Sequence, residues 1–146
     1  HPAAGVCLMH MRGDPATMQQ QPAYDDVVAE VRDFLRDRLA ALSAAGVDAE
    51  RVVLDPGVGF GKTVEHNVSL LRRQPELLAL GRPLLVGWSR KSVLGVITGR
   101  KVPDRLVASV VAALACVQHG ARIVRVHDVA DTVDALRLWR RAGLGE

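Results

Sequence analysis

Residues 51–62 read RVVLDPGVGFGK, a short apolar run followed by a carboxylate and a loop with three glycines. Continuous Val and Leu residues without polar alternation are typical of a parallel strand that is covered on both faces. A glycine-rich loop at the end of such a strand can approach a flat ligand closely, because glycine has no Cβ. This stretch predicts a buried parallel strand that carries Asp55 to a ligand-binding loop.

Three further segments, residues 5–10, 83–87 and 121–127, have the same apolar character. Helical periodicity and closing glycines predict helices over residues 25–45, 64–80, 89–99, 104–119 and 129–141. Alternating strands and helices predict an α/β fold with parallel strands and right-handed crossovers. Both an open doubly wound sheet and part of a (β/α)8 barrel fit this order, and a complete barrel takes about 250 residues.

The composition indicates one globular domain, which we assign to residues 1–146. The chain is 49% hydrophobic and only 3% aromatic, so its core is expected to consist mainly of Val, Leu and Ala. The net charge is +3, but basic residues alternate with acids, as in residues 36–38, which is typical of a solvated helix face. No apolar run reaches the roughly 18 residues of a membrane helix. We therefore expect neither nucleic acid nor a membrane as a partner.

Cys7 and Cys116 lie in apolar runs without CxxC spacing, so we predict buried thiols in a cytoplasmic protein. The chain begins at His1, without an initiator Met or a signal-peptide pattern. We expect the natural chain to begin earlier.

Polar residues follow each of the four predicted strands. They occupy residues 10–15, 55–62, 87–92 and 125–128. In parallel α/β folds the carboxyl ends of the strands open onto one mouth, where helix N-termini also point. We therefore predict that these four groups converge on a single ligand site.

Residues 55–63 match neither nucleotide-binding motif. A P-loop requires glycine where Pro56 stands, and the dinucleotide fingerprint requires glycine where Lys62 stands. Two interpretations of Asp55 remain open. It either binds a ligand or is satisfied by backbone donors of its own loop.

Residues 89–92 read SRKS and begin a predicted helix, a position that suits an anion. The alternative is ordinary capping by Ser89, with Arg90 and Lys91 exposed to solvent. Arg125 and His127 are two residues apart on a strand and so face the same side, where they could bind phosphate. The alternative there pairs Arg125 with Asp128 and makes His127 structural.

His10 and His127 have neither an HExxH glutamate nor a cysteine partner, so no metal site is predicted within this chain.

Taken together, the motifs LMHMRGDP at 8–15, LDPGVGFGK at 54–62, GWSRKS at 87–92 and RVHDV at 125–129 resemble the bacterial dihydropteroate synthases. Their order and spacing agree over essentially the whole chain. The resemblance implies the C-terminal half of a (β/α)8 TIM barrel, containing strands five to eight. The chain departs from the family in lacking the N-terminal half and in carrying Trp88 where a smaller apolar residue is usual.

The resemblance also implies an activity. The family condenses 6-hydroxymethyl-7,8-dihydropterin pyrophosphate with p-aminobenzoate, giving 7,8-dihydropteroate and pyrophosphate in folate biosynthesis. The pterin-binding residues that it implies are Met9, Asp55, Gly87, Lys91 and Arg125. The p-aminobenzoate-binding residues, at the subsite that sulfonamide drugs occupy, are Phe60 and Ser92. Arg125 and His127 would bind pyrophosphate, and together with Lys91 they would be the catalytic residues.

The same resemblance implies Mg²⁺ as a cofactor, with its ligand residue in the N-terminal half. It further implies a homodimer that forms through the helices at 104–119 and 129–141. We expect the chain by itself to be inactive. Two alternatives to the synthase are a non-catalytic half-barrel that assembles through its exposed sheet edges and a pterin-dependent methyltransferase. The pair of motifs SRKS and RVHD favours the synthase.

Overall fold

A computed structural model of the chain describes residues 4–144. Four parallel strands run through this part of the chain: β1 (Val6–Met9), β2 (Val52–Asp55), β3 (Leu85–Val86) and β4 (Ile123–Val124). β1 pairs with β2 and β3 pairs with β4, while a parallel bridge between Leu54 and Leu84 joins β2 to β3. The strands therefore lie side by side in chain order.

Within the described residues, five α-helices follow the strands: α1 (Val27–Ala44), α2 (Val64–Arg72), α3 (Ser92–Thr98), α4 (Leu106–Gln118) and α5 (Val129–Arg141). Short 3₁₀ helices occupy Ala49–Arg51, Gln74–Leu80 and Val102–Asp104. Each α-helix contacts the next one along the chain, so the helices form one layer on one side of the strands. A doubly wound sheet carries helices on both faces. The arrangement is that of four consecutive units of a (β/α)8 barrel, as predicted.

The longest helix shows how local sequence sets these elements. Asp26 precedes α1, and its carboxylate accepts hydrogen bonds from the backbone N–H groups of Val28 and Ala29, which satisfies two otherwise unpaired donors. Val28, Val31 and Leu35 recur at helical spacing and are fully buried against β1 and β2. α1 thus covers the outer face of the first two strands.

Within residues 4–144, no helix combines the length and the apolar character that a membrane span requires.

Two predicted helices begin or end differently from the expectation. The helix predicted over 64–80 is two elements, because Pro75 has no N–H to donate and its ring would clash with the carbonyl four residues earlier. The helix predicted from Ser89 begins at Ser92 instead. Arg90 has φ 57°, outside the helical region, and Lys91 is the extended N-cap residue. The strands β3 and β4 are also shorter than the predicted 83–87 and 121–127.

The prediction that both cysteines are buried was wrong for Cys7. Val6 and Leu8 pack against the core beneath α1, so Cys7 faces the opposite side of β1 and is exposed. Ile123 on β4 is likewise 41% exposed, so the described strands are not covered on both faces. Cys116 is buried as predicted, and burial raises the pKa of its thiol to about 12.

Candidate active site

A cleft of about 480 Å³ lies beside the carboxyl ends of the strands. Its lining consists of Met9, Phe60, Gly87, Ser89, Lys91, Arg125, Val126 and His127. Six of these are residues that the sequence singled out: Met9, Phe60, Gly87, Lys91, Arg125 and His127. Residues that lie far apart in the chain meet here because each one follows or ends a strand of the same parallel sheet.

Asp55 is the last residue of β2 and has no exposed surface. Its Oδ1 accepts a hydrogen bond of 2.8 Å from the backbone N–H of Gly57. Its Oδ2 lies 3.1 Å from a terminal guanidinium nitrogen of Arg125 but receives no hydrogen bond. Backbone donors therefore satisfy only one of the two oxygens. A buried carboxylate oxygen without a donor is costly, so this atom is suited to a ligand that carries N–H groups.

Gly87 allows Arg125 to lie close to the backbone of the loop after β3. A Cβ at residue 87 would lie 2.9 Å from the Arg125 Nη2 atom, too close for any larger residue to fit without displacing the guanidinium. The alternative pairing of Arg125 with Asp128 was wrong. Arg125 contacts Asp55 across the sheet, and Asp128 pairs with Arg90.

Lys91 is half-buried rather than solvent-exposed. Its ammonium lies 4.0 Å from the centroid of the Phe60 ring, a cation–π contact between the loops after β2 and β3. Burial first, and then the positive charge of Arg125, lower the pKa of Lys91, while Asp55 opposes this change. The cleft thus combines a lysine and an arginine, and the buried Asp55 carboxylate lies against the arginine.

Ser89 does not cap a helix, because α3 begins three residues later. Its buried Oγ accepts a 3.1 Å hydrogen bond from the backbone N–H of His127 and lies 3.0 Å from the His127 Nδ1 atom. This contact fixes the orientation of the imidazole and leaves Nε2 for other partners. Sequence reasoning missed this role of Ser89, because it depends on the neighbouring strand.

Two predicted site residues, Asp55 and Ser92, do not line this cleft. Asp55 lies against Arg125, which does line it, whereas Ser92 has no such contact with a lining side chain. It is the exposed first residue of α3, directly after Lys91.

The structure also reveals a buried pair that sequence reasoning missed. The Lys62 ammonium lies 2.9 Å from the His10 Nδ1 atom and donates 3.0 Å hydrogen bonds to the carbonyls of Gly57 and Phe60. Three partners match the three protons of an ammonium. Burial lowers the pKa of Lys62 to about 7. Burial, followed by the charge of Lys62, lowers the pKa of His10 to about 4. A lysine in a glycine-rich loop does not by itself indicate burial, so the sequence offered no signal.

We expect His10 to make stability depend on pH. An unfolded histidine has a pKa of about 6.5, so between that value and the folded pKa of about 4 the unfolded chain binds more protons. The His10 contribution is complete above about pH 6.5 and is lost as the pH falls towards 4. Replacing His10 with Asn keeps an acceptor for Lys62 and should remove about 3 kcal/mol of this dependence, because each pKa unit corresponds to about 1.4 kcal/mol. Urea unfolding between pH 4 and 7 measures it, and identical profiles for the variant and the wild type would contradict the expectation.

Comparisons with known proteins fit this geometry. Residues 2–127 match the family described as pterin binding enzyme. The dihydropteroate synthase of Neisseria meningitidis serogroup B is 53% identical over 144 residues, which cover 96% of this chain and 50% of that protein. The chain therefore spans about half the length of the curated relatives it matches.

Two solved structures are similar in three dimensions. Dihydropteroate synthase from Stenotrophomonas maltophilia with active site-bound imidazole has a TM-score of 0.93 and 54% identity, and the match covers 95% of this chain and 53% of that one. Dihydropteroate synthase from Xanthomonas albilineans in complex with 7,8-dihydropteroate has a TM-score of 0.87 and 49% identity, with 95% and 50% covered.

Proposed function

This chain belongs to the pterin binding enzyme family, and from that premise we propose that it supplies the C-terminal half of the active site of a dihydropteroate synthase. Residues 1–146 then form one pterin-binding domain. The observation that carries the proposal is that Lys91 and Arg125 line one cleft, and that the buried Asp55, with one oxygen lacking a donor, lies directly against Arg125. This combination fits a planar ring that carries N–H donors and an anionic tail.

The pterin ring would bind at the floor of the cleft. The Asp55 oxygen that lacks a donor is buried against Arg125, so the guanidinium would shift aside for that oxygen to accept hydrogen bonds from the amino-pyrimidine edge. Lys91 would contact the ring carbonyl and a ring nitrogen. The half-exposed guanidinium of Arg125 offers a flat surface for stacking. Met9 and Gly87 line the remaining walls.

The reaction breaks the bond between the CH2 carbon of the pterin and the pyrophosphate oxygen, which keeps the electron pair. The amine nitrogen of p-aminobenzoate then forms the new bond to that carbon and loses a proton. Arg125 and His127 would stabilise the charge that develops on the leaving pyrophosphate, as preorganised donors do. Lys91 would help by holding the ring, so that most of the catalysis comes from positioning.

The p-aminobenzoate would bind at the outer end of the cleft. Phe60, held under the Lys91 ammonium, would pack against its ring. Ser92, exposed at the start of α3, would receive its carboxylate. Sulfonamides would occupy the same subsite.

The side chains that the structure describes do not form a resident metal site. Within residues 4–144 no group of three or more His, Cys, Asp or Glu side chains could hold a metal ion. A Mg²⁺ ion that accompanies the pyrophosphate would need ligands from outside this set, and no step of the proposed chemistry depends on it here. A cytoplasmic location is also part of the proposal, supported by the free thiols of Cys7 and Cys116, which are typical of a reducing compartment.

We further propose that the intact protein is a homodimer through α4 and α5. Val107 and Val111 on α4 are 74% and 59% exposed, and Leu138 on α5 is 71% exposed. Val107 and Val111 line an apolar groove of about 680 Å³ between α2, α3 and α4. Exposed apolar side chains that line such a groove favour burial against another surface.

A hybrid enzyme tests the proposed function. Residues 1–146 would replace the corresponding half of the Neisseria meningitidis relative, and dihydropteroate formation would be measured from pterin pyrophosphate and p-aminobenzoate. We expect turnover by the hybrid and none by the chain alone. Replacing Arg125 with Ala in the hybrid should lower kcat on the order of 100-fold, because a transition-state donor is lost.

The hybrid also separates the alternatives. A folded hybrid that binds p-aminobenzoate and the pterin without turnover would favour a non-catalytic module, and one that fails to bind p-aminobenzoate would favour a methyltransferase. Circular dichroism establishes folding, and light scattering on the same preparation measures its oligomeric state. A monomer would contradict the proposed dimer.

A further inference from the structure

We propose that the ion pair between Arg90 and Asp128 is a positioning device that sets Lys91 and His127 at a fixed separation across the cleft. The inference rests on the function proposed above, because Lys91 and His127 matter as a pair only where one bound molecule touches both. Arg90 and Asp128 are positioning residues, since neither lines the cleft.

The two charged residues are covalent neighbours of the two site residues. Arg90 directly precedes Lys91 in the loop after β3, and Asp128 directly follows His127 in the loop after β4. The Arg90 Nε atom donates a 3.1 Å hydrogen bond to Asp128 Oδ2, and Nη2 donates a second one to Oδ1. A bidentate pair of this kind fixes orientation as well as distance. The Asp128 side chain is only 16% exposed, so the pair is partly shielded from water and salt.

The backbone conformation of Arg90 supports the positioning role proposed for the ion pair. With φ 57°, it is the one non-glycine residue with a positive φ among residues 4–144. A left-handed conformation is unfavourable for arginine and persists only where its surroundings hold it in place. Three contacts do so: Ser109 Oγ accepts a 3.0 Å bond from the Arg90 N–H, Arg105 donates a 3.0 Å bond to the Arg90 carbonyl, and Asp128 holds the side chain.

The conformation has a direct consequence for Lys91. It turns the chain sharply between Ser89, whose side chain is buried against His127, and Ser92, where α3 begins. Lys91 lies between these two points with extended backbone angles (φ −61°, ψ 152°) and projects towards the Phe60 ring.

Two cross-links therefore join the loops after β3 and β4. The Ser89–His127 hydrogen bonds act at one point, and the Arg90–Asp128 pair acts at the next residue of each loop. One link alone would let the loops pivot about it, whereas two links at successive residues prevent the pivot. The carboxyl group of Asp128 is ionised at neutral pH, and the hydrogen bond from Arg90 lowers its pKa further.

Amide hydrogen exchange on the chain tests the coupling between the loops. Arg90→Gly removes the guanidinium, and glycine adopts the positive φ without strain. This variant therefore removes the Arg90–Asp128 ion pair without disfavouring the backbone conformation. We expect the His127 amide, which lies in the partner loop, to exchange at least ~10-fold faster in this variant. Reciprocally, Asp128→Asn should accelerate exchange of the Arg90 amide. The matched control is Asp134→Asn, which breaks the exposed Arg137–Asp134 pair on α5. It should leave the amide exchange rates of both loops unchanged.

A titration with 6-hydroxymethyl-7,8-dihydropterin pyrophosphate, followed through the His127 ring resonances, gives the functional readout, because the proposed binding mode places its ring at Lys91 and its tail at His127. We expect Arg90→Gly and Asp128→Asn to weaken binding about 10-fold, and Arg90→Lys to restore part of it by keeping one charge-assisted bond. Unchanged exchange in the partner loop would overturn the inference, as would faster exchange with unchanged affinity for this ligand. A wild-type chain that shows the coupling but does not bind this ligand would support the positioning role and count against the proposed function.

Discussion

Replacing Asp55 with Asn is expected to lower the affinity of the cleft for a pterin on the order of 100-fold, the value of a lost charge-assisted hydrogen bond to a buried group. The Gly57 N–H already donates to Oδ1, so the carbonyl oxygen of the asparagine would stay with Gly57. The amide NH2 would then take the place of Oδ2. It would point donor hydrogens at the Arg125 guanidinium and at the N–H edge of the ring.

A titration of the hybrid enzyme with 6-hydroxymethylpterin, followed by fluorescence, measures this affinity. Asp134→Asn is again the matched control, because it makes the same change of a carboxylate to an amide at a position 75% exposed on α5. Circular dichroism separates lost affinity from lost folding. Unchanged affinity in a folded Asp55→Asn variant would remove Asp55 from the site and with it the main support for a pterin ligand.

The second large effect concerns the loop that follows Asp55. A Cβ on Gly57 would lie 1.8 Å from the carbonyl oxygen of His10, closer than any real contact, and φ at this residue is +69°. Neither backbone can move away freely, because the His10 N–H donates a 3.0 Å hydrogen bond to the carbonyl of Asp55. Gly57→Ala should therefore cost more than about 4 kcal/mol in the free energy of unfolding, the range of severe core defects.

Gly46→Ala is the matched control for this change. Gly46 follows α1 with φ +81°, but nothing lies within 4 Å of a Cβ placed there. Gly46→Ala should therefore lower the free energy of unfolding by only about 1–2 kcal/mol, which is the cost of a left-handed backbone for a residue with a Cβ. Urea unfolding monitored by circular dichroism compares the two variants, and the difference isolates the collision with His10. Equal losses would show that the close approach of the loop to His10 is not part of the native state in solution.

The outline of the fold could be read from local patterns. Val52 to Leu54 form a strand, and Val28, Val31 and Leu35 form one face of a helix, because burial of apolar side chains follows the periodicity of each element. The end of α2 could also have been predicted from the sequence, because Pro75 lacks a backbone N–H and its ring interrupts a helix. Local patterns likewise located the polar residues after each strand, which is why most of the predicted site residues line one cleft.

The sequence did not predict in the same way which charged side chains pair with each other. Asp128 is three residues from Arg125 in the chain, yet Arg125 lies against Asp55 and Asp128 binds Arg90. Contacts of this kind depend on which strands are neighbours and on the direction in which each side chain leaves its strand. A one-dimensional pattern does not contain either quantity.

Periodicity and motif therefore specified the parallel β/α units and the residue types at the strand ends, because those depend on short stretches of chain. Packing of the strands side by side decided the rest: the burial of Lys62 against His10, the Ser89–His127 bond and the exposure of Cys7. The physical reason is that burial and hydrogen-bond partners are properties of groups brought together from distant parts of the chain. Only the folded arrangement determines which groups those are.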